Sequence, residues 1–335
     1  MKKTFFGFVA LLVIMISGCK KTENLTGQET PSEWKLVREN QNDNYYHALS
    51  FIDQHNGCVV GDSGKILTTN DGGNLWHVQE SGTTVSLKCV YFANTQKGWI
   101  GGGNNSIGLT TNGGITWIWQ HPAGESSRTF MAMSFINEYT GWVVDNYSGI
   151  LHTEDGGMTW TPQSSGTTWA ITSVQFLDAK EGWAVATNRV VLHTTDGGDN
   201  WTTNILDTIN YGNGITAIYS DIYFYNQSKG WIATNVGASS IRNPIASIVR
   251  TSDTGNTWNC QSTPEELAIN SIQFVNENFG WAGCFGGILF TTNSGKTWDY
   301  QFSKTDDIIV DICFVDQSHG WALSFNGSIY RYQAL

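Results

Sequence analysis

The stretch TEDGGMTW, residues 153–160, decides how the rest of the chain is read. It recurs as TNDGGNLW (69–76), TTNGGITW (110–117), TTDGGDNW (194–201), TSDTGNTW (251–258) and TTNSGKTW (291–298). The shared form is T-x-[D/N]-x-G-x-x-W. Six copies, all but one interval 40–43 residues long, indicate an array or propeller of small, similar units. Each copy has the chemistry of a closed hairpin turn. An Asp or Asn side chain accepts hydrogen bonds from backbone N–H groups of its own turn, glycine supplies positive φ, and the Trp offers a large apolar plate whose N–H needs a partner. The acceptors are Asp71, Asn112, Asp155, Asp196, Asp253 and Asn293, and the plates are Trp76, Trp117, Trp160, Trp201, Trp258 and Trp298. Asn112 and Asn293 keep the acceptor and drop the charge, which favours a structural turn over a metal or substrate ligand.

A second signature precedes each octad: an apolar run ending in Phe, five or six polar residues, then Gly-Trp. The Phe members are Phe51, Phe92, Phe135, Phe176, Phe224, Phe274 and Phe314, and the Trp members are Trp99, Trp142, Trp183, Trp231, Trp281 and Trp321. Gly57-Cys58 takes the place of Gly-Trp in the first unit, so there are seven units rather than six. In the third, FMAMSF (130–135), WVVD (142–145) and GILHT (149–153) alternate with period two, as half-buried strands do. They read as strands A, B and C, and the octad turns the chain into strand D. Four short antiparallel strands, seven times over, predict an all-β, seven-bladed propeller occupying 34–335; a regular solenoid is the alternative architecture. The seventh unit ends without an octad. SEWKLV (32–37) resembles an octad Trp with its following strand, so the amino-terminal strand is expected to complete the last blade and close the ring, removing exposed sheet edges.

Residues 1–18 contain two lysines and a continuous apolar run, too short for a comfortable membrane span and typical of a secretion signal. The run ends in ISGC (16–19), which resembles a bacterial lipobox with lipid attached to Cys19; an ordinary secretory signal with a chance cysteine is the alternative. Residues 19–33 are polar and read as a tether. The implied location is the cell envelope, as an outer-membrane lipoprotein facing either the periplasm or the surface, and as a monomer. The net charge of −11, with no basic cluster after the tether, makes nucleic acid a poor partner. Cys58, Cys89, Cys260, Cys284 and Cys313 show no CxxC spacing and are expected to be small core residues. No metal or cofactor is expected.

The strand order puts A–B turns and octads on one side, and B–C loops and D–A connections on the other. The first side is repetitive. Binding is therefore expected on the second, with Asp62, Lys65, Arg128, Tyr147, Trp169, Arg189 and Arg242 as the candidate residues, and Ser63, Glu125, Asn146, Tyr211, Asn243, Phe285 and Phe325 nearby. Trp, Tyr and Arg are the side chains that most often anchor interfaces. His152 and His193 share a place in strand C of neighbouring units, too far apart for a common metal. Asp221 and Asp311 share a position in strand A with Ala48, Cys89, Ala132, Ser173 and Ser271. They are expected in the central channel, as solvated side chains or as a carboxylate pair for glycoside chemistry.

The octad resembles the Asp-box, or BNR repeat, of sialidases, sortilin-type receptors and related propellers, where the box is a structural turn on the periphery. The longer consensus F-x(5 or 6)-G-W-x-x-G…G-x-I-x-x-T-x-D-G-G-x-T-W is similar to the photosystem II assembly/stability factor family of propellers, over 34–332. That resemblance implies a non-enzymatic binding module, here lipid-anchored, that holds a protein or glycan partner. Photosynthetic members use an arginine-rich patch; this chain has only Arg38, Arg128, Arg189, Arg242, Arg250 and Arg331. The alternative is a glycoside hydrolase of the sialidase or xyloglucanase type. A sialidase needs an arginine triad to clamp the substrate carboxylate, and these six arginines form no recognisable set.

Overall fold

The computed structural model describes residues 32–39, 45–122, 127–206, 217–236, 248–261, 263–264 and 268–334. The expected signal, Cys19, Glu125, Tyr211, Arg242 and Asn243 lie outside the described residues. Within them the chain is all-β, with one 3-10 turn at Asp62–Gly64. The third unit shows the pattern: Phe130–Phe135, Gly141–Asp145, Ile150–Thr153 and Thr161–Gln163 pair in that order, all antiparallel. Units one, two, four and five form four-stranded sheets of the same order.

The last two units run together into one six-stranded sheet. Strand Gly280–Thr291 serves as both B and C, and strand Asp299–Phe314 as both D and the next A. The separate B–C and D–A loops expected there are absent. Positive φ at Gly286 (85°) and Gly287 (147°) lets the first strand bend without leaving the ladder, and Phe285 pairs directly with Ile308. At the far edge of this sheet strand Ser32–Arg38 pairs antiparallel with Ile329–Ala334, Trp34 opposite Tyr332 and Leu36 opposite Tyr330.

Packing between units repeats one aromatic contact. The Gly-Trp indole of one unit stacks on the Phe that ends strand A of the next: Trp99 on Phe135 at 3.8 Å, Trp142 on Phe176 at 3.4 Å, Trp183 on Phe224 at 4.5 Å, Trp231 on Phe274 at 3.6 Å and Trp281 on Phe314 at 3.8 Å. Trp321 of the last unit stacks in the same way on Phe51 of the first, at 3.5 Å. Each octad Trp then meets its own unit's Phe edge-on, for example Trp160 on Phe135 at 84°. Trp34 does the same to Phe314, at 88°. The glycine before each Trp is explained by this ring: a Cβ at Gly141 would stand 2.2 Å from Phe135, and one at Gly320 2.3 Å from Phe314. Where Cys58 replaces the Trp, the thiol is buried beside Phe92.

The octads are closed turns. In residues 153–160 the Thr153 hydroxyl donates to Asp155 Oδ1 (2.8 Å) and accepts the Gly157 N–H (2.8 Å), while Asp155 Oδ1 accepts the Thr159 N–H (2.9 Å). The same three bonds hold the Asn112 copy at 3.0, 2.9 and 3.0 Å. Amide and hydroxyl donation from Thr159 holds the Asp155 carboxyl down at about 2. The octad indoles depart from expectation. Trp117 donates to the Gly114 carbonyl at 3.1 Å, but Trp76, Trp160, Trp201 and Trp298 have no acceptor in reach among the described residues. Each of these four rings meets the Phe of its own unit edge-on. The cysteines also divide: Cys58, Cys89 and Cys284 are buried, whereas Cys260 is exposed on an outermost strand and Cys313 faces the channel.

Candidate functional site

Hydrogen bonds separate the two sides of the units. On one, each octad is tied to the A–B turn of its own unit, as Gly72 N–H to His55 O (2.9 Å) and Gly156 N–H to Tyr139 O (2.7 Å). On the other, the ends of strands B and the B–C loops are tied to D–A connections, either the one leading into the same unit or the one leading into the next. Gly64 N–H reaches Val85 O (2.8 Å), Asn105 N–H reaches Arg128 O (2.8 Å), and Asn146 N–H reaches Thr129 O (3.1 Å). Phe285 N–H reaches Ala268 O (3.2 Å). The non-repetitive residues gather on this second side.

Asp62 opens the first B–C loop and is the centre of a polar cluster. Its Oδ1 lies 2.8 Å from His47 Nε2 and 3.5 Å from Lys88 Nζ, and it accepts the Ser86 hydroxyl. Lys88 Nζ is also 2.8 Å from His47 Nε2. Burial holds the His47 imidazole below its usual value against the opposing pull of Asp62. The Asp62 carboxyl is brought down to about 2 because donation from Ser86 and His47, with the Lys88 charge, outweighs burial. One imidazole nitrogen cannot both donate to Asp62 and accept from Lys88, so only one of these two contacts is a hydrogen bond in a given protonation state. Sequence reading found Asp62 and missed His47, Ser86 and Lys88. His47 comes from strand Tyr46–Phe51, Lys88 from the start of strand Leu87–Phe92 and Ser86 from the position just before it, so only the fold brings them to Asp62.

Arg128 is committed to structure: Nη1 lies 3.3 Å from Asp145 Oδ2, and Asp145 is fully buried. Asp145 Oδ1 also accepts the Tyr147 and Gly149 N–H groups (2.7 and 2.8 Å), shaping the loop that presents Tyr147. Tyr147 and Trp169 are exposed, at 54% and 44%. Arg189 sits half-buried in a tight turn with positive φ at Asn188 and itself, its carbonyl accepting the Leu206 N–H (3.1 Å). Lys65 is half-buried at the end of the Asp62 turn. Phe285 and Phe325 are exposed on the same side, and Phe325 meets Tyr45 at 5.0 Å, a pair that sequence reading did not identify.

Strands A of all the units line one cavity of about 770 Å³. The A strands are sheet edges, and free backbone groups of several of them meet side chains of the preceding A strand. Gln175 both accepts from the Phe224 N–H (2.5 Å) and donates to its carbonyl (3.1 Å), and Gln273 does the same to Phe314. Asp221 and Asp311 belong to this set. Asp221 accepts the Ser173 hydroxyl (2.8 Å) and the N–H groups of Ile222 and Ile272 (both 2.9 Å). Asp311 accepts the Ser271 hydroxyl (3.1 Å) and the N–H groups of Leu49 (2.8 Å) and Ile312 (2.9 Å). Burial pushes Asp221 up to about 6 and Asp311 to about 7, the nearby Asp221 charge adding to the second. The carboxylates thus join neighbouring A strands, which limits them as acid–base groups. His152 and His193 lie elsewhere, stacked on Trp142 (4.6 Å) and Trp183 (3.8 Å). Among the described residues no three His, Cys, Asp or Glu side chains are placed to hold a metal.

Comparison with known proteins follows from this geometry. The family model described as photosynthesis system II assembly factor YCF48 matches residues 26–121 and 118–213. No curated protein matches in sequence. Among solved structures, YCF48 bound to D1 peptide is 19% identical, with a TM-score of 0.72, covering 90% of this chain and 97% of that one. YCF48 from Cyanidioschyzon merolae is 18% identical, TM-score 0.72, covering 90% and 98%. A catalytically inactive virginiamycin B lyase from Staphylococcus aureus with quinupristin is 13% identical, TM-score 0.73, covering 91% and 100%. At these identities the likeness is one of fold.

Proposed function

Starting from a chain that belongs to the photosynthesis system II assembly factor YCF48 family, we propose a non-enzymatic, lipid-anchored binding module that holds a protein partner. The reading includes a seven-bladed ring closed by strand Ser32–Arg38. Its support is the pairing of that strand with Ile329–Ala334 and the stacking of Trp321 on Phe51. The observation that carries the binding function is the group of exposed aromatics, Tyr45, Tyr147, Trp169, Phe285 and Phe325, on the side formed by B–C loops and D–A connections. Large rigid rings on short, hydrogen-bonded loops are the surface that protein partners use as anchors. A relative that carries a D1 peptide makes a peptide segment the first partner to test. Cys19 supplies the anchor in this reading, and the cell envelope is the location.

Asp221 and Asp311 give the hydrolase reading its only foothold, and their three donors each favour a structural role. The test is cross-linked capture from the envelope of the producing cell, comparing wild type with Trp169→Ala/Arg189→Ala. Capture lost at an unchanged melting temperature supports the binding face. Unchanged capture removes it. Turnover of aryl glycosides or sialosides that disappears in Asp311→Asn moves the protein to the hydrolase class.

A further inference from the structure

The octad side is not uniform. In the first three units the sixth or seventh octad position holds a large apolar residue, Leu75, Ile115 and Met158, exposed at 57%, 65% and 67%. Exposed Tyr139 stands beside the third of these octads, its carbonyl bonded to Gly156. In the next three units the sixth positions are Asp199, Asn256 and Lys296. The apolar tips therefore form one arc over three consecutive units. The turns that carry them are already closed by their own hydrogen bonds, so these side chains contribute nothing to the turn. Apolar side chains held out on three consecutive units mark a contact surface.

The direction of strand Ser32–Arg38 identifies what covers it. Ser32 pairs with Ala334 and Arg38 with Ile329. Strand Ile329–Ala334 leaves the B–C loop and runs toward the octad side, where Arg331 donates to Gly72 O (3.3 Å) and to Asn74 Oδ1 (3.1 Å) of the first octad. The chain therefore enters the described unit on the octad side, beside the unit that carries Leu75. Residues 20–31, twelve in all, separate Cys19 from Ser32, a reach of about 40 Å at full extension. A lipid on Cys19 would keep this side close to the bilayer.

The geometry points to the octad side of the first three units as a bilayer-docking face, on which Leu75, Ile115, Met158 and Tyr139 enter the headgroup region of a neutral phospholipid surface. A neutral surface follows from the charges. Asp71, Glu154 and Asp155 lie in the same octads, against two cations: Lys97, whose ammonium lies 5.2 Å from the Tyr139 ring, and Arg331, bonded to the first octad. Anionic lipid would be repelled. Aromatic rings with a neighbouring lysine suit the membrane interface. Docking this side turns the loops bearing Trp169 and Tyr147 away from the membrane. The inference rests on the lipid-anchor reading proposed above.

The test uses the full lipidated chain in phosphatidylcholine vesicles. In a Cys260→Ser background, nitroxide is attached at Ile115→Cys, at Met158→Cys and, on the opposite side, at Trp169→Cys. All three positions are exposed turns, so the fold is retained. Docking predicts that collisions with a water-soluble nickel complex fall several-fold at positions 115 and 158, that collisions with oxygen rise there, and that position 169 stays aqueous. Replacing half the lipid with phosphatidylglycerol should reverse the change. A chain that floats with the vesicles while 115 and 158 remain aqueous overturns the docking and leaves the anchor standing. A chain that does not float overturns both.

Discussion

The indole N–H of Trp321 donates to the carbonyl of Gly72 at 2.9 Å, joining the last unit to the first octad across 249 residues of sequence. The same bond joins consecutive units, from Trp99 to Gly156 and from Trp142 to Gly197, both at 3.0 Å. The Trp321 contact is thus one more copy of the inter-unit contact. Trp321→Phe keeps most of the stack on Phe51 and leaves the buried carbonyl without its donor, an expected loss of about 1–3 kcal/mol. Trp321→Ala removes the plate as well and should cost about 3–5 kcal/mol. Urea titration of the two variants separates the effects; equal losses would show that the hydrogen bond contributes nothing.

Trp34 should matter as much, although it precedes every other aromatic of the described unit. It is buried, edge-on to Phe314, and donates to Gln301 Oε1 at 3.0 Å. Trp281 donates to the same oxygen at 2.8 Å. The last unit has no octad carbonyl to accept the Trp281 N–H, and Gln301 takes that role for both indoles. Trp34→Ala should cost about 3–5 kcal/mol. Gln301→Leu keeps the volume and leaves two indole N–H groups without this acceptor, so a loss of about 1–3 kcal/mol per group is expected. A melting temperature unchanged in Gln301→Leu would refute the shared role.

The octads offer a contrast between charge and geometry. Asn112 makes the turn of Asp155 with the same three bonds, and its Nδ2 donates to Thr116 Oγ1 (2.8 Å) where Asp155 Oδ2 accepts from Thr159 Oγ1 (2.7 Å). A hydroxyl rotation accommodates the exchange. Asp155→Asn should therefore move stability by less than about 1 kcal/mol. Thr153→Val is isosteric but takes away the acceptor of the buried Gly157 N–H and should cost about 1–3 kcal/mol. Calorimetry on the pair checks the order; the reverse order would mean that the carboxylate charge holds the turn.

Much of the fold was legible because it repeats. Phe135 recurs in every unit, Trp142 in all but the first and Trp160 in all but the last, and the contacts they make in one unit are the contacts they make in most. Legibility failed where units depart from the repeat. Within residues 280–291 only Gly286 and Gly287 hint that B and C are one strand, and the pairing of Phe285 with Ile308, far along the chain, completes it. The placement of the candidate residues was legible by side, and their contacts were not. The strand order placed Trp169 and Tyr147 correctly on the loop side. It did not reveal that Arg128 is engaged by buried Asp145, or that His47 and Lys88 surround Asp62, because those pairings cross between strands of different sequence. Asp221 and Asp311 were assigned to the channel, but their partners are backbone amides of neighbouring units, which no side-chain pattern encodes.

Those two carboxyls make stability depend on pH in an unusual direction. Their folded values, about 6 for Asp221 and about 7 for Asp311, lie above the ordinary 3.8 of an unfolded Asp. Below about pH 4 both states are protonated and the groups add no pH dependence. Between about pH 4 and pH 7 the unfolded chain has lost these protons while the folded chain keeps them. The folded state binds more protons in that window, so stability falls as pH rises through it and levels off above the folded values. Asp155 and Asp196, each held at about 2, act in the opposite sense. Their stabilisation is present above pH 4 and is lost as pH falls toward 2. These four carboxyls taken together favour about pH 4–5, while the depressed imidazoles of His47 and His152 act against the decline as pH rises toward their ordinary 6.5. Asp311→Asn removes one titrating group. It should flatten the decline between pH 4 and pH 7 by on the order of 1–3 kcal/mol, while lowering stability at pH 4 through the loss of an acceptor for Leu49 or Ile312. Urea midpoints measured at half-unit steps from pH 3 to pH 8 test this. A wild-type profile that rises from pH 4 to pH 7, or an Asp311→Asn profile parallel to it, would show that both carboxyls ionise in the folded channel as they do in water.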